Sequence, residues 1–468
     1  MFAALLNHVR YALRQMRKSP GFTLTAVLTL ALGIGATTAI FSLIWSVMLK
    51  PLPVEHPEQL YKIGSQNACC VDTGLQGDWA LFSNDLYEHF RDHTKGFQSL
   101  AAFQAGMDTF SVRRSGAAGK AQAAAGNYVS GNYFSTLGAP ILHGRAFTMA
   151  DDHEGAPPVA VISYRYWRER FALDPSVIGS TLMINGQGVT VVGVTPPGFY
   201  GVSLRSDPPA FWLPVHQEIN LTKSRPLVNQ PGQGWLDLVG RVAPGTNLQR
   251  LDAQLNVELR QWLQTQSATL NTMVPGASQL IPQQRTELAP AAASANSISD
   301  SYQKGLMLLM WAALAVLLIV CANVAGLMLV RATAQRKQTA ISVAMGATPG
   351  AVIRQSLIFS VILALLGGVG ALAVSYAVTN MMLALAFRGS LHVPLDAAPS
   401  WPVLAFAFGV SLVTGLVFGA VPAWLSSRAQ PAEVLRGANR GSSGDASARP
   451  QQLLVVLQAA LSVVLLCA

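Results

Sequence analysis

Charge is what this 468-residue chain has least of: Asp, Glu, Lys and Arg make up only 12% of it. An ordinary soluble domain carries about 25%. Hydrophobic residues reach 51% and the mean hydropathy is +0.36, which excludes a purely cytosolic globular protein. Acidic residues are scarcest outside the middle of the chain. From Lys50 to Gln303 there are 18 Lys and Arg against 20 Asp and Glu, whereas the remainder holds 14 against 3. The net charge of +9 therefore sits beside hydrophobic runs. Cations hugging apolar segments describe membrane topology, not a folded nucleic-acid-binding patch.

Reactive groups are sparse as well. Of the four cysteines, Cys321 and Cys467 lie in apolar runs as small hydrophobes. Cys69 and Cys70 are adjacent in the polar middle, where an exposed pair and a vicinal disulfide both remain open. The chain has no Gly-x-Ser-x-Gly, His-Glu-x-x-His, Cys-x-x-Cys or Walker A lysine, so no catalytic residue and no cofactor is assigned, and the chain is read as not itself an enzyme. The eight His are scattered. The one cluster that suggests a metal is His143 and His153 around Asp151, Asp152 and Glu154, and it reads as solvated surface, leaving no metal ligands assigned.

What is present in quantity is long apolar sequence. Phe2 to Lys18 places Phe2, Leu5, Leu6, Val9, Leu13 and Met16 at helical spacing with Arg10, Arg14, Arg17 and Lys18 opposite, an amphipathic helix on the inner membrane surface. After Ser19-Pro20-Gly21, Phe22 to Leu49 runs without a charge and is long enough to span the ~30 Å hydrocarbon core. It is about twice the length of a signal-peptide core and lacks a small-x-small cleavage site, so it is read as retained. Three more runs follow, at Gly305–Val330, Val352–Phe387 and Val403–Leu425, and a fourth begins at Gln451 and continues to Ala468.

The basic residues cluster before the first run, after the second (Arg331, Arg336, Lys337) and after the fourth (Arg428, Arg436, Arg440, Arg449). That asymmetry places the N-terminus in the cytoplasm and the middle outside. The expected fold is an integral membrane α-helical protein with four complete transmembrane helices and the start of a fifth. A large α+β two-lobed extracytoplasmic domain lies between the first and second spans. The boundaries read as an amphipathic helix at 1–20, the first span at 21–49, the outer domain at 50–303, spans two to four at 304–428, a Gly/Ser-rich linker at 429–450 and a fifth span cut short at 451–468.

Within the middle, Leu60–Gly64, Thr109–Arg113, Val159–Ser163 and Val189–Val194 read as strands, and Asn185-Gly186 marks a hairpin joining Thr181–Ile184 to the last of them. Ser83 is an N-cap for a helix over Asn84–His93; Tyr164–Phe171 and Leu248–Thr265 are also helical. In the spans, Ala31, Gly35 and Ala39 share one face for close helix packing, and Asn323, costly in hydrocarbon, should turn to another helix. No carboxylate lies within a span, Asp396 being in an outer loop, which disfavours a proton-coupled transporter.

Several long strings resemble the MacB/FtsX-type permeases of ABC transporters, in particular the duplicated orphan permeases. RYALRQMRKSPGFTLTAVLTLALGIGATTAIFSLIWSVMLKPLP resembles the family's first helix and its exit. GNYVSGNYFSTLGAPILHGRAF, VAVISYRYWRERF and VIGSTLMINGQGVTVVGVTPPGF resemble its periplasmic core. CANVAGLMLVRATAQRKQTAISVAMGATPGAVIRQSL resembles its second and third spans with their joining loop, and RPQQLLVVLQAALSVVLL the opening of a second permease half. The resemblance implies an inner-membrane permease subunit of the mechanotransmission type, driven by a separate ABC ATPase. Implied partners are that ATPase, a second permease half or a homodimer partner, a periplasmic adaptor and the lipid bilayer, with no nucleic acid. Its loop motif falls on Arg336, Lys337, Ser342, Met345, Gly346 and Ala347, which the resemblance makes the ATPase-coupling loop. The family's Glu and a second Arg are replaced here by Gln338 and Ser342, which weakens a charge-paired dock. The alternative function is a non-transporting signalling or scaffold protein relaying force to an extracytoplasmic partner.

Overall fold

The computed structural model describes residues 2–46, 53–64, 81–115, 120–202, 208–222, 225–231, 233–273, 276–291, 297–334, 349–386 and 400–427. Cys69, Cys70, Asp396, the six coupling-loop residues and the linker and fifth run at 429–468 lie outside them. The chain divides into two units. One comprises Met1–Ser46, Gln303–Arg388 and Leu395–Ala468; the other comprises Val47–Tyr302 with Gly389–Pro394.

The first unit is a helix bundle. Helix α1 (Phe2–Lys18) ends at Ser19, and Pro20 opens α2 (Pro20–Ile44), where its missing N–H costs nothing. Long helices Ser297–Ala334, Pro349–Ala386 and Trp401–Ser427 follow. Among the described residues three segments are long and apolar enough to cross a membrane, Pro20–Ile44, Met307–Arg331 and Ile353–Leu383, and the described apolar stretch of the last helix is shorter, Trp401–Leu416. Leu30 and Ile34 of α2 meet Leu317, Cys321, Val324 and Met328 of the second segment and Phe359, Leu363 and Ala371 of the third in one core. Helix α1 joins that core through Ala12 and Met16, while Leu13, expected on the same apolar face, is exposed.

Four buried hydroxyls in the bundle bond carbonyls of their own helices. Thr37 and Thr38 donate to the carbonyls of Gly33 and Ile34 at 2.9 and 2.7 Å, and Ser360 and Ser411 donate to Ser356 and Ala407 at 3.0 and 2.7 Å. Each hydroxyl bonds the carbonyl four residues back, so its burial in an apolar bundle is not penalised.

Among the described residues the second unit is built on eleven strands: β1 (Leu60–Gly64), β2 (Phe97–Gln104), β3 (Asp108–Arg114), β4 (Gln122–Val129), β5 (His143–Gly144), β6 (Val159–Ile162), β7 (Thr181–Ile184), β8 (Gln187–Val194), β9 (Phe211–Pro214), β10 (Leu236–Val242) and β11 (Glu287–Pro290). Where the sequence suggested two lobes, one continuous sheet runs through the unit in two parts. An open antiparallel arm, β11-β1-β10-β2, meets β4 at the single pair Phe103↔Val129. Beyond it the order β4-β3-β7-β8-β6-β9 returns to its start, because β9 pairs in parallel with β4, and six strands close into a ring.

The turn chemistry follows the sequence. Asn185 and Gly186 both have positive φ, 48° and 91°, as a two-residue hairpin turn between β7 and β8 requires. Helix α3 (Asn84–His93) is capped by Ser83, whose hydroxyl accepts the Leu86 N–H at 3.3 Å. Short helices α4 (Tyr133–Leu137), α5 (Tyr164–Phe171) and α6 (Glu218–Leu221) precede the amphipathic α7 (Leu248–Thr265). Helix α7 buries Leu251, Leu255, Leu259, Trp262 and Leu263 against the larger of two apolar cores in this unit. The smaller core gathers Phe103, Tyr133, Phe134, Phe147, Phe199 and Trp212.

Candidate functional site

Of the four residues read from the sequence as packing positions, Ala31, Gly35 and Ala39 lie on α2. Ala31 and Ala39 are buried. A Cβ on Gly35 would come within 2.7 Å of Val374 and 3.0 Å of the Ala371 carbonyl, and one on neighbouring Gly33 within 2.9 Å of Val320. Glycines of helix Pro349–Ala386 do the same in return: a Cβ on Gly367 would meet Leu30 at 2.7 Å and one on Gly370 would meet Ala31 at 3.0 Å. These helices approach at distances that only small residues permit.

Asn323 lies on the exposed side of its helix. The buried stripe there is Leu317, Cys321, Val324 and Met328. At 100° per residue, Asn323 stands well round the helix from Cys321.

In the outer unit the most heavily engaged charged group is Arg241 of β10, which is 8% exposed. Its Nε donates to the Thr136 carbonyl at 2.9 Å, and Nη2 donates to Leu137 and Glu55 carbonyls at 2.9 and 2.6 Å. Nη1 donates to the His56 carbonyl at 3.1 Å and the Gln59 side chain at 3.2 Å. A single planar fork with five donors thus ties three segments. They are residues 55–59, through which the chain enters the unit, the C-terminal end of α4, and the sheet. Gly138, at φ +63°, closes α4 and makes room, since a Cβ there would stand 2.8 Å from the Glu55 Cβ. The Glu55 N–H also donates to the Gly138 carbonyl at 3.2 Å.

Of the acidic loop, His143, His153 and Glu154 are exposed as its sequence suggested, whereas Asp151 is half-buried and Asp152 buried. Asp151 receives both Nη groups of Arg145, at 2.7 and 2.8 Å, together with the Thr148 N–H and hydroxyl. Those bonds, Arg145 first, hold its carboxyl at about 2. Asp152 is buried at 5% exposure and bridges three chain segments. It accepts the Gly131 N–H at 2.8 Å and both the main-chain N–H and Nδ1 of His216 at 3.0 Å. The bond to Asp152 raises the pKa of His216 above the ordinary histidine value, against the opposing effect of burial. Among the described residues no group of His, Cys, Asp and Glu is placed to hold a metal.

Sequence reasoning missed Arg241 and the Asp152–His216 pair. For Arg241 a signal existed, a lone cation inside the apolar strand Leu236–Val242. For the pair there was none, since its partners are 64 residues apart.

A sheet domain inserted after the first apolar helix of a bundle of membrane-length helices defines a class, the membrane proteins with a large extramembrane domain. Two family models match within this frame: the MacB-like periplasmic core domain over residues 23–257 and the FtsX-like permease C-terminal over residues 310–431. The chain belongs to the MacB/FtsX-type ABC transporter permeases. It is 28% identical over 313 residues to the macrolide export ATP-binding/permease protein MacB of Salmonella typhi, covering 66% of this chain and 43% of that protein. It is 25% identical over 314 residues to the probable export ATP-binding/permease protein MacB of Pseudomonas entomophila, covering 66% and 41%. The chain thus spans less than half the length of these curated relatives. Among solved structures, the periplasmic region of MacB from Actinobacillus actinomycetemcomitans matches at 13% identity and TM-score 0.35, covering 53% of this chain and 92% of that one.

Proposed function

We propose that the chain is the permease subunit of a mechanotransmitting ABC transporter in the inner membrane, coupling ATP hydrolysis by a separate ATPase to export or envelope work. The observation that carries this reading is the order of parts: a MacB-like core at 23–257 and an FtsX-like permease region at 310–431. In this reading the N-terminus and the basic loop containing Arg336 and Lys337 are cytoplasmic, and residues 50–303 are outside. The distribution of Lys and Arg supports that orientation. Helix Trp401–Ser427, 27 residues or roughly 40 Å long, supports a fourth crossing. Residues 1–20, 21–49, 50–303 and 304–428 are then the membrane-surface helix, first span, outer domain and remaining spans, with 429–450 a linker to a second permease half beginning at 451.

Catalysis resides in the partner, and the coupling-loop residues Arg336, Lys337, Ser342, Met345, Gly346 and Ala347 dock it. The relay alternative uses the same parts without cargo. Copurification of an ABC ATPase tests the common ground, and a Ser342→Cys cross-link to it tests the dock. In proteoliposomes, stimulation of ATP hydrolysis by a macrolide, the cargo class in the relatives' names, supports the transporter. An active complex in which position 342 never cross-links removes the coupling-loop assignment.

A further inference from the structure

Arg331 ends the second apolar segment, and among the described residues two aromatic rings lie against its charge. Its guanidinium carbon lies 4.0 Å from the ring centre of Phe359 and 4.8 Å from that of Phe22, and the two ring centres are 6.5 Å apart. Phe22 opens α2, Arg331 closes the helix Ser297–Ala334, and Phe359 lies on the helix Pro349–Ala386. One cation therefore sits between rings from two other helices. Its Nη1 is buried and hydrogen-bonds nothing among the described residues, so the rings are the partners that remain for that edge of the guanidinium. Cation–π attraction strengthens as the cation is desolvated, and this guanidinium is half-buried with its Nη1 fully so. Phe359 is itself 6% exposed and belongs to the bundle core that also holds Leu317, Met328 and Leu363. The clamp thus continues the packed core and is not a surface ornament.

We propose that Arg331 is a positioning residue that pins these three helices into one rigid body, so that a displacement imposed on one is shared by all three. Shared displacement is what a permease needs if a push on one helix end is to rock the bundle. Lysine keeps the charge but not the planar, weakly hydrated guanidinium that favours aromatic rings, so Arg331→Lys is an intermediate variant and Arg331→Met a full loss.

The proposal rests on the coupling reading above, and two measurements on the full chain in nanodiscs separate the two. In the first, no partner is present. The native cysteines are replaced by alanine, and nitroxide labels at Leu24→Cys and Leu366→Cys, both exposed positions, report the spacing of the first and third helices. The distance distribution is expected to be about twice as wide in R331M and in Phe359→Leu as in the parent, with R331K between. Equal widths in R331M and the parent overturn the clamp, whatever the chain is coupled to.

In the second, the copurified ABC ATPase is bound and trapped with ATP and vanadate. The parent distance is expected to shift, and R331M to lose the shift while the KM for ATP stays within about twofold. A full-sized shift in R331M overturns the pinning role. A parent complex that ignores nucleotide overturns the coupling reading, and the pivot with it, while the widths of the first measurement still decide the clamp.

Discussion

Replacing Arg241 by methionine removes five donors from one point in the outer unit, and the structure sets the size of the effect. Two of the five bonds, to the carbonyls of Thr136 and Leu137, are fully buried. Each of those carbonyls left unpaired costs about 1–3 kcal/mol. The other three, to Glu55, His56 and Gln59, are partly buried, and water can replace the guanidinium at about 0.5–1 kcal/mol each. Against this, the variant no longer has to desolvate a charge, which returns several kcal/mol. Set against about 3.5–9 kcal/mol for the five lost bonds, that return leaves a net expected loss of about 3–4 kcal/mol.

For a domain of this size each kcal/mol moves the midpoint by about 2–4 °C, so the unfolding midpoint of the outer unit should fall by roughly 6–16 °C. Tryptophan fluorescence of the full chain reports it, because Trp167, Trp212, Trp235 and Trp262 are all buried in that unit. Arg241→Lys, with three donors and no fork, should lose about half as much. A midpoint for Arg241→Met within about 2 °C of the parent would refute the reasoning, and residues 55–59 would then be held by something other than this arginine.

The remaining expectations are smaller. His216 has a folded pKa above its unfolded value of about 6.5, so the Asp152 contact stabilises fully below that value and is lost as pH rises through the folded pKa. Thermal midpoints taken between about pH 6 and pH 8.5 should therefore fall with rising pH in the parent, and less in His216→Asn. Asp151 acts in the opposite sense: its carboxyl is held at about 2, so its ion pair with Arg145 is present above the unfolded value of 3.8 and lost as pH falls towards 2. Arg145→Gln should flatten acid destabilisation in that window. In the bundle, Gly35→Leu should cost about 1–3 kcal/mol and shorten the survival of monodisperse protein in detergent, because Val374 and the Ala371 carbonyl already occupy the space. Gly21→Leu, with nothing within 4 Å, is the control that should behave as the parent does. Gly186→Ala should destabilise the outer unit by about 1 kcal/mol in urea unfolding through its positive φ of 91°.

Elements with strong local signals were legible at residue resolution. β1, α3, α5 and α7 coincide with the stretches that β-branched residues, N-caps and helical periodicity mark out. β4 escaped because Gln-Ala-Ala-Ala-Gly-Asn has little intrinsic preference for a strand; it is one only because three neighbours pair with it. The closure of the ring was invisible for a related reason. Its last ladder joins Gly126–Val129 to Phe211–Pro214, a pairing between segments more than 80 residues apart with no turn between them to announce it. Arg331 illustrates the same limit in the bundle. Its position at the end of an apolar run reads as a topology signal, and nothing in the sequence connects it to Phe22 and Phe359, which lie on other helices. Non-local packing, not composition, chose those partners.

The closed ring has a mechanical consequence. An open sheet yields from its edge, one hydrogen bond at a time, and the arm ending in β11 offers such an edge. A hoop of six strands offers none: a whole ladder has to part before any strand of it comes free. Under tension the outer unit should therefore fail in order, first at the single-pair seam between Phe103 and Val129 and along the arm, with the hoop surviving as an intact shackle.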